Sequence, residues 1–436
     1  MQFDDKFKNI QDALAKEDFC TYIGKVKRIS GMMIEATGSK YKIGEICEIE
    51  TDIPERKVRA EVVGFNDGRV LLMPYEHISG IGLGNTVKST KHKLKIPVGD
   101  FLIGRIVDAT GQPIDDGEEF TSDVYCYVDS DYINPLSRPR IDSTLSFGVK
   151  AIDGLLTIGK GQRMGIFAGS GVGKSTLLGM VAKNVKADIN VIALVGERGR
   201  EVREFIEKDL GEEGLKRSVL VIATSDQPAM LRMKCALVAT TIAEYFKDKG
   251  KDVLLMMDSL TRFAMAQREI GLATGEPPVS RGYTPSIYAE LPRLLERSGN
   301  FNGGSITGIY TVLVEGDDTN EPISDTVRGI VDGHIVLTRK LANSNHYPAI
   351  DINSSISRLM NDIVAKEHND TAKKIRDILS IYYANFDLIS IGAYKKGSNL
   401  KLDEAISKID KVNDFLKQGI NEKLDFEEIL SLMNEI

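Results

Sequence analysis

Hydrophobic and polar positions fall into three textures along the chain. From Phe19 to Lys91, short runs rich in Val, Ile, Met and Tyr (TYIGKVKRIS, GMMIEAT, EICEIE, KVRAEVVGF, RVLLMPY) are broken by Gly and Asp. Such runs predict a small antiparallel β-barrel or sandwich, and Asp67-Gly68 between two of them signals a hairpin. The HKLKIP stretch from His92 to Pro97 reads as the exit into a second unit. From 92 to 364, near-continuous apolar runs (MGIFA, VIALV, VLVIA, VLLMM, ITGIYTVLV) alternate with segments of helical period such as AMLRMKCALVATTIAEYFKDKG. That alternation predicts an α/β fold with a parallel sheet covered on both faces, carrying its chemistry at the carboxyl ends of the strands. From 365 to 436 the strands stop. Ala372, Ile375, Leu379 and Tyr382 repeat at spacings of three and four. So do Ile406, Ile409, Val412 and Leu416, and then Phe426, Ile429, Leu430 and Met433, which predicts a C-terminal helical domain. Ahead of the barrel, in residues 1–18, Phe3, Phe7, Ile10 and Leu14 share one helical face, for its own domain or for a partner helix.

Composition narrows the function classes. Among 436 residues, 56 basic against 63 acidic side chains leave a net charge of −7, which excludes a broadly basic nucleic-acid coat. No apolar run reaches the ~18 residues that span a bilayer, and the opening MQFDDKFKNI is polar, so a cytoplasmic protein is expected. Cys20, Cys47, Cys126 and Cys235 lie far apart, with no zinc spacing, and are expected to be reduced thiols.

The strongest local signal runs from Arg163 to Leu178, RMGIFAGSGVGKSTLL. A strand ends at Ala168, Gly169, Gly171 and Gly173 bare the next turn, and Lys174 and Ser175 open a helix. Backbone N–H groups in such a turn approach polyphosphate oxygens closely, Lys174 reaches the β/γ-phosphates, and the Ser175 hydroxyl suits Mg²⁺. The strict pattern has Gly where Ala168 stands, so the match is a relaxed one. A nucleoside triphosphate is the expected ligand. Two further strand ends supply candidates for hydrolysis. Leu254 to Met257 run into Asp258, a carboxylate suited to Mg²⁺ through water. Val191 to Val195 lead into Glu197 and Arg198, fit to orient the attacking water and to counter γ-phosphate charge. By contrast, Gly80-Ile81-Gly82-Leu83-Gly84 lacks the helix and the lysine and reads as a turn near the barrel's end.

AGSGVGKST, GERGREVREF, LLMMDSLTRFAMAQREI, GEPPVSRGYTPSIYAELPRLLER, VLVEGDDTNEPISD and HYPAIDINSSISR follow one another in order. Together they resemble the catalytic subunits of the F-type rotary ATPase family, and within it the ATPases of type III protein export systems. The resemblance covers nearly the whole chain. It implies a RecA-like P-loop NTPase core behind an N-terminal β-barrel, and ATP hydrolysis with Mg²⁺. By motif, Gly169, Gly171, Val172, Gly173, Lys174, Ser175 and Thr176 would hold the phosphates and metal. Glu197 would polarise the water with Arg198 near the γ-phosphate, Asp258 would sit on the metal shell, and Arg262 would support it. Tyr347 matches the residue that stacks on adenine, although an aromatic before Pro348 could equally anchor a core. Arg358 matches an arginine finger acting on the neighbouring subunit's nucleotide, which implies a ring of identical subunits resembling a hexamer.

Glu197 argues against the family's non-catalytic subunit. Residues 387–398 are basic at Lys395 and Lys396, where the synthase's catalytic subunit has an acidic loop, and GAYKKGSN resembles the flagellar export branch, with the virulence secretion ATPases close behind. The implied partners are an export gate, stalk components, chaperone–substrate complexes and a stator-like regulator at residues 1–18, with peripheral attachment to the inner membrane. A ring-shaped nucleic-acid translocase would share the phosphate loop. The acids interleaved through the barrel (Glu45, Glu48, Glu50, Asp52, Glu55) speak against it, and no nucleic-acid partner is expected.

Overall fold

The computed structural model describes residues 20–129, 134–314 and 321–436. The helix expected over 1–18 and the centre of the VLVEGDDTNEPISD motif lie outside the described residues. The chain divides into two compact units, one ending at Leu94 and one beginning at Lys95.

In the first unit, β1 (Ile23–Ser30), β2 (Met33–Ala36), β3 (Glu45–Glu50), β4 (Lys57–Asn66), β5 (Arg69–Pro74) and β6 (Thr86–Lys93) close an antiparallel barrel in the order β1-β2-β5-β4-β3-β6. Pairing of Ile23 with Lys88 and Lys25 with Thr86 joins the first strand to the last. Alternate residues of each strand point inward, and Ile34, Ile49, Leu72 and Val87 are fully buried there. The hairpin expected at Asp67-Gly68 joins β4 to β5, both residues taking the positive φ of a tight two-residue turn (46° and 72°). The glycine-rich turn at 80–84 lies between β5 and β6.

In the second unit, two short antiparallel ribbons, β7 (Lys95–Pro97) with β9 (Tyr125–Tyr127) and β10 (Thr144–Leu145) with β11 (Ile158–Gly159), flank the main sheet. That sheet contains β8 (Ile106–Asp108), β12 (Arg163–Ala168), β13 (Ile189–Glu197), β14 (Ser218–Thr224), β15 (Asp252–Asp258), β16 (Gly299–Phe301), β17 (Gly304–Leu313), β18 (Gly333–Leu337) and β19 (Ile356–Ser357). The spatial order is β19-β18-β12-β17-β15-β13-β14-β8, with β16 paired to β17. The five apolar runs picked out above are β12 to β15 and β17, all parallel. Their continuous apolarity follows from burial on both faces. Ile192 and Leu194 share a cluster with Leu177, Leu178 and Val181 of the helix Lys174–Asn184. The intervening Val191, Ala193 and Val195 face the other side, where the helix Ala229–Asp248 packs. Asn190 and Ser218, polar but fully buried in these strands, satisfy part of their needs by bonds to Ala182 O and Gly214 O.

The C-terminal segment forms helices over Lys366–Ala384, Leu400–Leu416 and Phe426–Asn434, with a short turn of helix at Phe386–Ser390. Ala372, Ile375, Leu379, Ile409, Val412, Leu416, Ile429 and Met433 are buried along their inner faces, while Tyr382, Ile406, Phe426 and Leu430 are partly exposed. These helices share one hydrophobic cluster with Phe147, Ile152 and Leu155, which lie between β10 and β11. The segment from 365 onward therefore belongs to the same compact unit as the sheet.

Candidate functional site

Register explains why the candidate residues meet. Ala168 pairs with Leu313 and Leu337, and Leu194 pairs with Asp258, so β12, β17, β15 and β13 end along one carboxyl edge. The loop after Ala168, Asp258 and Glu197 all project from it.

At that edge a cavity of about 610 Å³ is lined by Gly169, Gly171, Gly173, Lys174, Ser175, Thr176, Glu197 and Arg198 among others. Gly173 takes a left-handed φ of 90° just before the helix Lys174–Asn184, which leaves that helix's first N–H groups open to an anion. Val172 is buried and does not line the cavity. In the helix itself Ser175 and Thr176 follow Lys174 on the cavity side.

Lys174 Nζ donates a hydrogen bond to Asp258 Oδ1 and lies 4.0 Å from Glu197 Oε1. Asp258 is 6% exposed, and its Oδ1 also accepts from the Thr311 hydroxyl at 2.7 Å. A carboxylate buried this far needs a cation and a donor, and here Lys174 and Thr311 are the two. Glu197 is set at the cavity wall by a bulge in β13. Val195 pairs with Ala223 but Glu197 with Thr224, and Gly196 between them has φ 67°. A side chain at Gly196 would be strained, and its Cβ would lie 3.1 Å from Arg262 Cβ. Burial first, and then the Asp258 carboxylate, push Glu197 up to about 7. Lys174 and Arg262 pull in the other direction, and a hydrogen bond with Glu201 adds to the rise. Its Oε1 is buried without a hydrogen-bond partner. Arg198 stands at the mouth, largely exposed, 3.8 Å from Glu201.

The side chains fit a divalent ion of the Mg²⁺ kind that takes most of its ligands from phosphate and water. The Ser175 hydroxyl, buried Asp258 and Glu197 Oε1, which takes no hydrogen bond, offer oxygen ligands. Among the described residues no three His, Cys, Asp or Glu stand close enough to hold a metal by themselves, so such an ion would depend on the phosphates.

Tyr347 reaches this site although it lies far along the chain. A Cβ on Gly173 would be 3.4 Å from Tyr347 Cε1, and the tyrosine as a whole is 42% exposed. Arg358 is placed elsewhere. Ser357 pairs with Gly333 and the Arg358 N–H donates to Asp332 O at 3.0 Å, while Arg163 N donates to the Asp332 carboxylate. Arg358 therefore sits at the amino ends of the parallel strands, exposed, with Nη2 donating to Arg328 O at 3.3 Å. The phosphate loop leaves β12 at the opposite end, about 17 Å further along the strand. One chain does not bring the two together.

Thr311 and Arg339 also belong to the site and went unread in the sequence. Thr311 is a hydroxyl inside a strand otherwise closed to water, and a buried hydroxyl has to find a partner. Arg339 reaches the cavity only through the course of the chain after β18.

Three family models match the chain. They are the beta-barrel domain of the ATP synthase alpha/beta family over residues 26–91, the nucleotide-binding domain of that family over 148–357, and the T3SS EscN ATPase C-terminal domain over 364–435. The chain is 54% identical over 433 residues to the flagellum-specific ATP synthase of Bacillus subtilis, covering 99% of each. Among solved structures it is similar to the assembled ATPase EscN of the enteropathogenic E. coli type III secretion system. The TM-score is 0.90 and the identity 47%, with 94% of this chain and 99% of that one covered. EscN in complex with its central stalk EscO is similar at a TM-score of 0.88 and 46% identity, with the same coverage.

Proposed function

Since the chain belongs to the ATP synthase alpha/beta family and is an ATPase of its flagellar and type III export branch, we propose that it hydrolyses Mg-bound ATP at the interfaces of a homo-oligomeric ring, six subunits in number, to promote export of flagellar proteins. The observation that carries the reading is the meeting of Lys174, Asp258 and Glu197 beneath the glycine loop. In this arrangement Lys174 is held by Asp258, and entry of a triphosphate offers the ammonium a stronger anion. Lys174 then turns to the β/γ-phosphates, and Ser175 and Asp258 are left to face a metal. Bound Mg²⁺ supplies neutralisation of the phosphate charge. Ionised Glu197 accepts a hydrogen bond from the attacking water, and Arg198 adds positive charge at the mouth. Tyr347 offers its ring to the adenine base.

The remoteness of Arg358 from the phosphate loop of its own chain supports a finger supplied to a neighbour. EscN is described as assembled and as bound to a central stalk, which supports a ring and a stalk partner here. The basic Lys395-Lys396 loop and the 54% identity with a flagellum-specific relative favour the flagellar branch. No described helix is long and apolar enough to cross a membrane, which agrees with peripheral attachment at the cytoplasmic face. Residues 1–18 are our candidate for docking a stator-like regulator. The export gate and chaperone–substrate complexes are the further partners of this reading. Steady-state phosphate release by Glu197→Gln tests it. Turnover should fall by two orders of magnitude or more while nucleotide binding persists, and undiminished turnover would remove Glu197 from the mechanism.

A further inference from the structure

Tyr347 is held from behind by a residue that no motif marks. Gln418 lies just beyond the helix Leu400–Leu416, is 6% exposed, and meets three separate parts of the chain. Its backbone N–H donates to Tyr347 O at 2.9 Å. Its side-chain Oε1 accepts from Lys150 N at 2.8 Å, satisfying one of the open N–H groups at the start of the helix Lys150–Leu155. Its Nε2 donates to Gly148 O at 2.8 Å and to Glu422 O at 3.1 Å. An ion pair between Lys150 Nζ and Glu422 at 3.2 Å closes the same junction. Every hydrogen-bonding group of this amide is thereby used, and a buried amide with all its bonds made has one orientation available. On the other side of Tyr347 stands Gly173 of the phosphate loop.

We propose that Gln418 is a positioning residue for the nucleotide's base: it fixes the backbone of Tyr347 against the phosphate loop, so that the grip on the base is set by how the helical tail docks at Gly148 and Lys150. This rests on the reading of Tyr347 as the platform for adenine. Gln418 touches neither phosphate nor water in this scheme, and its effect falls on recognition of the base rather than on the chemical step.

The test compares ATP with inorganic tripolyphosphate, which fills the phosphate loop but brings no base. Steady-state hydrolysis is measured for the full-length protein and for Gln418→Leu, Tyr347→Ala and the double variant, with tripolyphosphate as competitive inhibitor. Gln418→Leu is expected to raise KM for ATP about tenfold, the scale of a disrupted buried hydrogen-bond set. Its kcat and the inhibition constant of tripolyphosphate should stay within about twofold of the parent. Tyr347→Ala should show the same selective loss, and the double variant should lose no more than the larger single loss. If Gln418→Leu weakens ATP and tripolyphosphate alike, or if the two losses add, Gln418 is a structural residue and the proposal is overturned. If Tyr347→Ala leaves KM for ATP unchanged, the platform reading itself has failed and takes the proposal with it. Should Gln418→Leu not accumulate as folded protein, Gln418→Glu carries the comparison. It keeps the acceptor for Lys150 N–H, loses the donor to Gly148 O, and the same selective loss is expected.

Discussion

At the scale of single residues, Glu197 is the carboxyl that our proposal gives to the attacking water. Burial and Asp258 hold it near 7 in the free protein, above its ordinary 4.5. Its ionised form is the stronger acceptor and the one able to draw a proton from the attacking water, and at pH 6 roughly one molecule in ten carries it. kcat/KM for ATP should therefore rise with pH through about 7, and Glu197→Gln should remove that limb along with most of the rate. The folded chain holds this proton more tightly than the unfolded one. Its contribution to folding stability accordingly declines as the pH rises from about 4.5 to about 7, and urea titrations of Glu197→Gln should lack that slope. Thr311 is a second lever. Thr311→Val keeps the shape but strips a donor from the buried Asp258. It should cost about 1.5–3 kcal/mol of stability, read by denaturant unfolding in the absence of nucleotide.

Among the elements, the bulge in β13 has the most work to do. Side chains alternate along a strand, so an unbroken β13 would aim Glu197 to the same face as Val195. The left-handed Gly196 breaks that alternation. Gly196→Ala has to enter a strained φ and crowd Arg262, so it should lose about 1–3 kcal/mol of stability, read by thermal unfolding. Phosphate release should fall with it, because Glu197 is re-aimed. Much at this scale was legible in the sequence. The strands β12 to β15 and β17 announce themselves because burial on both faces makes them apolar throughout, and the phosphate loop because glycine and Lys-Ser stand where a strand becomes a helix. The bulge was not legible, since one glycine at a strand end reads equally as a turn. β8 and β18 escaped as well. Ile106-Val107-Asp108 is too short to form a run, and β18 alternates buried with half-buried residues at the sheet's flank. Tyr347 and Arg358 were placed by resemblance to a family, because the contacts that bring Tyr347 to Gly173 span more than 170 residues.

For the whole molecule, the separation of Arg358 from the loop at Lys174 makes catalysis, on our proposal, a property of neighbours. Mixed assemblies of Lys174→Ala and Arg358→Ala chains make the distinction. An Arg358→Ala subunit keeps its phosphate loop, and a Lys174→Ala subunit beside it keeps its arginine. Each variant alone should be nearly inactive, while an equal mixture should regain about a quarter of the sites if the two chains assemble into the ring at random. No recovery on mixing would mean that Arg358 does not serve an adjoining subunit.

The first unit carries a consequence of its own. Because β6 returns to pair with β1 over residues 23–25, the described strands close on one another as a barrel. Among the described residues a binding protein therefore finds little free edge to extend by adding a strand of its own. Whatever fastens to this unit has to grip side chains on its outer wall or its loops, and substitutions that alter those side chains without disturbing the barrel are the ones that would release it.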